Sequence, residues 1–82
     1  MLLTARQIRA ARALVNLTQR EVAKRTGVSE PTLKRIESDD WGPGRSGHQA
    51  VAAVQTLLEA AGAEFLPAGD GHGEGVRRRE RE

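Results

Sequence analysis

GVSEPTLKRIE, residues 27–37, decides how this chain folds. Gly27 can take the left-handed backbone conformation that ends a helix. Ser29 can cap the next helix, and Val28 before it can staple onto Leu33. Pro31 falls in the first helical turn, where a missing N–H costs little. The stretch therefore predicts a tight turn and then a helix over about 30–38. Leu33 and Ile36 face inward, with Thr32, Lys34 and Arg35 along or beside the opposite side. An acid and a proline, Glu30 and Pro31, stand at the exposed start of that helix.

The same chemistry recurs twice upstream. In Leu3-Thr4-Ala5-Arg6-Gln7-Ile8, threonine caps, glutamine closes a capping box and leucine staples onto isoleucine. Leu17-Thr18-Gln19-Arg20-Glu21-Val22 repeats all three elements. A first helix over about 5–16 places Ile8, Ala11, Arg12 and Val15 on one face, so the arginine there needs a partner. A second, over about 19–26, is short, buries Val22 and Ala23, and stops at Gly27.

Downstream, DDWGPGRSG (39–47) holds three glycines and a proline and reads as loop. Trp41 within it reads as closing a core edge in preference to binding a ligand. A fourth helix over about 48–61 carries Val51, Val54, Leu57, Leu58 and Ala61 in helical register; it is the most apolar of the four and should complete the core. After Gly62 the period changes. Ala63-Glu64-Phe65-Leu66-Pro67 is a short candidate strand, and Gly75-Val76-Arg77-Arg78 a returning one. A lone two-stranded hairpin is barely stable in water, so such strands pair with a second copy or lie on the helical body. The RRRERE end (77–82) reads as frayed.

Whole-chain properties bound the function. With 82 residues there is room for one small domain whose core is marginal by itself, which makes oligomerisation an expectation. There is no cysteine, hence no disulfide and no thiolate metal site. No apolar run approaches the roughly 20 residues of a membrane span, and no secretion signal is legible, so a cytoplasmic location is expected. Residues 1–47 carry nine Lys/Arg against five Asp/Glu (+4), while residues 48–82 carry four against six (−2). The basic half is the one to meet a polyanion. Only Trp41 and Phe65 are aromatic, too few for stacking on single strands.

Catalysis finds no footing. His48 and His72 are scattered, and no nucleophile elbow is present. GDGHGEG (69–75) has glycines at dinucleotide-fingerprint offsets but lacks the following helix, and Asp70, His72 and Glu74 alternate in a mobile turn that offers no preformed metal site. No enzyme activity, cofactor or metal is expected.

Two helices joined by a tight turn need a small residue at the crossing, a residue tolerant of positive φ, and apolar anchors. Ala23, Gly27 and Val22/Val28/Leu33/Ile36 supply them. The spacing Gln19-x3-Ala23-x3-Gly27-Val28-Ser29-x3-Leu33-x2-Ile36-Glu37 resembles the Cro and phage-repressor-like (xenobiotic response element) helix-turn-helix family, over roughly residues 3–66. The resemblance implies a mostly α fold. That fold is a four-helix repressor-like helix-turn-helix domain over 1–62, then a glycine-rich tail over 63–82 holding a short β-strand or hairpin with candidate dimerising strands and a frayed basic end.

It further implies that Ser29, Glu30, Pro31, Thr32 and Arg35 touch bases and nearby backbone. Arg35 is the strongest candidate, since arginine bonding guanine through two donors is the commonest specific contact. Glu30 can accept from a cytosine amino group or simply favour the helix N-terminus, and Pro31 offers apolar contact or only helix initiation. Gln19, Lys34, Arg20 and Arg45 are the phosphate contacts implied or proposed, with a solvated loop arginine the alternative for Arg45. Arg12 and Glu37 match a structural salt bridge between the first and third helices.

LEAAGAEF (58–65) and GVR (75–77) resemble, more loosely, small bacterial repressors that include antitoxins of toxin–antitoxin modules. In several of these the terminal strand pairs across a dimer, which makes Phe65, Leu66 and Val76 the candidate dimer residues. The implied function is a dimeric, sequence-specific regulator of transcription, an autoregulating repressor on a palindromic double-stranded operator. The alternative is an antitoxin that neutralises a protein toxin and binds its own operator.

Overall fold

The structure is a computed structural model and describes residues 3–80. Its elements run α1 (Ala5–Leu14), α2 (Gln19–Thr26), α3 (Glu30–Ile36), a 3-10 turn (Pro43–Arg45), α4 (His48–Ala60), β1 (Ala63–Leu66) and β2 (Gly75–Arg78). The mostly helical fold with a C-terminal antiparallel hairpin is as expected. Its boundaries are tighter, and residues 39–47 are not all loop.

The helix starts follow from their caps. Thr4 and Gln7 close a full capping box on α1, as do Thr18 and Glu21 on α2, while Ser29 caps α3 without a box partner. The hydrogen bonds of the Thr18 backbone and side chain hold the Glu21 carboxyl below its ordinary value of 4.5. Helix α1 ends two residues early because Asn16 adopts φ +59, a left-handed conformation that asparagine tolerates. The Leu17 N–H then closes onto the Arg12 carbonyl at 3.1 Å.

Ile8, Val22, Leu33, Ile36, Val54 and Leu58 form the fully enclosed centre of the core. One or two come from each helix, so no helix can leave without exposing the others' apolar faces. In α4 only Val54 and Leu58 are buried outright, and Ala61, just past its end, is exposed.

The hairpin lies on this body. Phe65 pairs with Val76 in antiparallel register, and Phe65 and Ala63 are buried in the core. Phe65, expected to face a second copy, is 7% exposed and packs into the core of its own chain. Leu66 and Val76 are half-buried. Gln7, itself buried, ties the hairpin down. Its side-chain nitrogen donates to the Leu66 and Gly75 carbonyls, both at 3.0 Å, while its oxygen accepts the Thr4 N–H at 2.9 Å. Both amide hydrogens of Gln7 thus go to the two strands while its oxygen caps the start of α1.

Replacing Gln7 with alanine leaves those two carbonyls without their donor, and stability should fall by about 1–2 kcal/mol. Urea denaturation measures the loss, and faster amide exchange confined to residues 63–78 assigns it to the hairpin.

The basic end is more ordered than its composition suggests. Arg77 and Arg78 lie in β2, and Arg77 Nε donates to Glu64 across the strands at 2.9 Å. The Arg79 N–H donates to the Gly62 carbonyl at 2.7 Å and its guanidinium to the Glu59 carbonyl at 2.8 Å. Glu80 lies past the end of β2, and the rest of the stretch expected to fray, residues 81 and 82, falls outside the described residues. Among the described residues, no helix is long and apolar enough to cross a membrane.

Candidate nucleic-acid interface

Helices α2 and α3 meet through a turn built by four residues. The Gly27 N–H donates to the Ala23 carbonyl at 2.9 Å while its backbone takes φ +78, closed to most side chains. The Thr26 hydroxyl donates back to the Val22 carbonyl at 2.7 Å and accepts the Val28 N–H at 3.1 Å, bridging the end of α2 to the turn. The Ser29 hydroxyl then accepts the Thr32 N–H at 3.3 Å. With Leu33 and Ile36 fully enclosed, the opposite side of α3 is fixed toward solvent.

On that side Ser29, Pro31, Lys34 and Arg35 are exposed, with Glu30 and Thr32 half-buried. Ser29 also donates to the Thr32 hydroxyl at 2.9 Å, so Thr32 keeps its own O–H as a free donor direction. Glu30 and Pro31 occupy the first two positions of α3, where a carboxylate suits the positive helix end and a proline needs no N–H. The acid and the proline thus begin the helix, and the cations come one turn later. Arg20, Lys24 and Arg25 of α2 are exposed as well, so the turn unit presents a basic surface.

The structure places Arg12 and Glu37 together. Arg12 Nε and Nη2 donate to the two carboxylate oxygens at 2.8 and 3.0 Å, and Nη1 donates to the Leu17 carbonyl at 3.1 Å. Glu37 is 4% exposed, so this is a nearly enclosed, two-point ion pair between α1 and the end of α3.

Gln19 does more than its spacing suggested. Its side-chain nitrogen donates to Glu37 at 3.1 Å, which ties α2 into the same pair and commits one of its two amide hydrogens. Arg9 was missed altogether: it donates to the Glu37 carbonyl and pairs with Asp39 at 3.1 Å. Its only sequence signal is its position three residues before Arg12, on a neighbouring face of α1.

Trp41 does not close the core. It is 41% exposed, and two guanidinium groups lie over its ring: Arg45 with its Cζ 4.3 Å from the centroid and Arg35 at 5.8 Å. Arg20, Lys34, Arg35 and Arg45 make no ion pair with a carboxylate among the described residues. Arg35 and Arg45, far apart in sequence roles, are brought to one place by the loop. No sequence period links positions 35, 41 and 45, which is why the grouping was not legible. Among the described residues no three potential metal ligands converge.

Residues 4–66 match the model of a family described as a helix-turn-helix domain. None of the curated proteins compared with the chain matches it.

Proposed function

The chain belongs to the helix-turn-helix domain family, and from that membership we propose that it is a sequence-specific regulator of transcription that lays α3 in the major groove of double-stranded DNA. The observation that carries the reading is the sidedness of α3. Leu33 and Ile36 are enclosed while Pro31, Lys34 and Arg35 are exposed on a short, capped helix set by a glycine turn. An α-helix fits the major groove, and arginine can bond guanine there through two donors. Arg35 is the base reader, helped by Thr32, Ser29 and the surroundings of Glu30 and Pro31. Lys34, Arg20, Gln19 and Arg45 meet phosphates and supply salt-dependent affinity.

The resemblance to Cro and phage-repressor-like regulators supports a two-fold dimer on a palindromic operator, with half-sites about 34 Å apart. Repression follows from occupying a promoter. Leu66 and Val76, half-buried on the hairpin, are the contacts left for a second copy once Phe65 is taken by the core.

Selection of bound duplexes from a random library tests the proposal directly. The expected result is a consensus of two inverted half-sites centred about 10 base pairs apart, with affinity falling steeply as salt rises. Duplexes recovered without any shared sequence, or none retained even at low salt, would exclude it.

A further inference from the structure

Trp41 is a large aromatic residue that the core does not use, held against two arginines by a folded-back loop. The Arg35 carbonyl accepts the Ser38 N–H at 3.1 Å and the Gly42 N–H at 3.0 Å, so the loop returns to the end of α3. The Trp41 N–H donates to the Ser38 carbonyl at 3.3 Å, and the Ser46 hydroxyl donates to the Gly42 carbonyl at 2.8 Å. Gly42 turns the chain with φ +79, the left-handed region that glycine adopts freely. The indole is thereby set beside the residue from which the loop departs.

The chemistry of the contact differs from an ion pair. A carboxylate would hold a guanidinium by consuming its N–H donors, whereas an aromatic ring attracts its face and leaves the planar edge of donors free. Among the described residues the Arg35 side chain has no hydrogen-bond partner, and that of Arg45 has only the Asp40 carbonyl at 3.4 Å. Two like charges also sit near one ring, an arrangement that an incoming polyanion relieves. A long side chain restrained beforehand loses less rotamer freedom when it binds.

We infer that Trp41 is a positioning residue for DNA recognition, attracting Arg35 over its ring for base reading and stacking Arg45 for phosphate contact while leaving their donors open. The inference rests on the reading of Arg35 given above. Trp41 itself need not touch a base.

The test uses the full chain, the selected duplex, and the same duplex with single base pairs replaced. Trp41→Ala should lower discrimination at the base pair that Arg35→Ala affects by roughly fivefold, and Trp41→Phe, which keeps an aromatic face, should restore most of it. Because the stack acts through Arg35, Trp41→Ala added to Arg35→Ala should cost no further discrimination there. Trp41 is the only tryptophan, so its fluorescence reads the stack in the free protein and should change in both Arg35→Ala and Arg45→Ala.

If Trp41→Ala keeps full discrimination while Arg35→Ala loses it, the positioning role is wrong and the reading of Arg35 stands. If Arg35→Ala changes preference at no position, both fall. Equal losses on the selected and random duplexes for Trp41→Ala would leave at most the phosphate contact of Arg45 and overturn the positioning of Arg35 for base reading.

Discussion

Glu37→Ala should destabilise the protein by about 3 kcal/mol, the largest effect expected of any single polar substitution in it. The carboxylate is nearly enclosed, and three donors converge on it: Arg12 Nε, Arg12 Nη2 and Gln19 Nε2. Removing one partner of such a pair costs about 3–5 kcal/mol, because the remaining charge stays desolvated and unpaired. The lower end applies here, since the Arg12 side chain keeps 23% exposure and retains the Leu17 carbonyl as acceptor.

For a chain of this size the corresponding fall in Tm is on the order of 15 °C. Urea or thermal unfolding followed by circular dichroism measures both. Replacing the pair together, Arg12→Met with Glu37→Leu, should recover most of the loss, because no unpaired charge is then left buried. A Glu37→Ala protein within about 0.5 kcal/mol of the parent, the range of ordinary surface changes, would show that the pair does not hold α1, α2 and α3 together.

Arg35→Ala should leave folding nearly untouched and reduce discrimination at one base pair by roughly 10–100-fold, the worth of a two-donor contact to guanine. The separation follows from its exposure and from the absence of any side-chain hydrogen bond or ion pair to the rest of the described protein. Lys34→Ala, one position earlier and also exposed, should instead weaken all duplexes alike and lower the steepness of salt dependence by about one unit. Binding each variant to the selected duplex, its single-base variants and a random duplex separates the two residues. Equal losses on selected and random duplexes for Arg35→Ala would remove it as a reader.

The two substitutions probe different layers of one design. Glu37 works at the C-terminal end of α3, where enclosure multiplies the cost of an error. Arg35 stands on its solvent side, where an error costs stability little and shows only when DNA is present. Sequence periodicity separates these layers cleanly at Leu33 and Ile36. It does less well for Gln19, whose side chain serves the buried pair even as the start of α2 faces outward.

Local chemistry made the helical part legible. Thr4, Thr18 and Ser29 are caps whose hydrogen bonds reach only three residues, and Gly27 answers a demand of its own backbone. Such interactions are present whatever the rest of the chain does, so helix starts and the tight turn could be read directly. The end of α1 was overestimated because Asn16 tolerates the left-handed conformation without requiring it, as glycine more often does.

The sequence by itself determined the helix starts, the turn, the inward residues of α3 and which cations are available to meet a polyanion. Only the tertiary structure decided where the long-range partners go. It folds the hairpin onto the helical body through Gln7 and Phe65, adds Gln19 to the Arg12–Glu37 pair, and leaves Trp41 outside the core beneath Arg35 and Arg45. The physical reason is range. Caps and turns are settled between neighbours in the chain, whereas a buried amide, an enclosed carboxylate or an exposed indole takes its role from groups brought near only when the whole core closes.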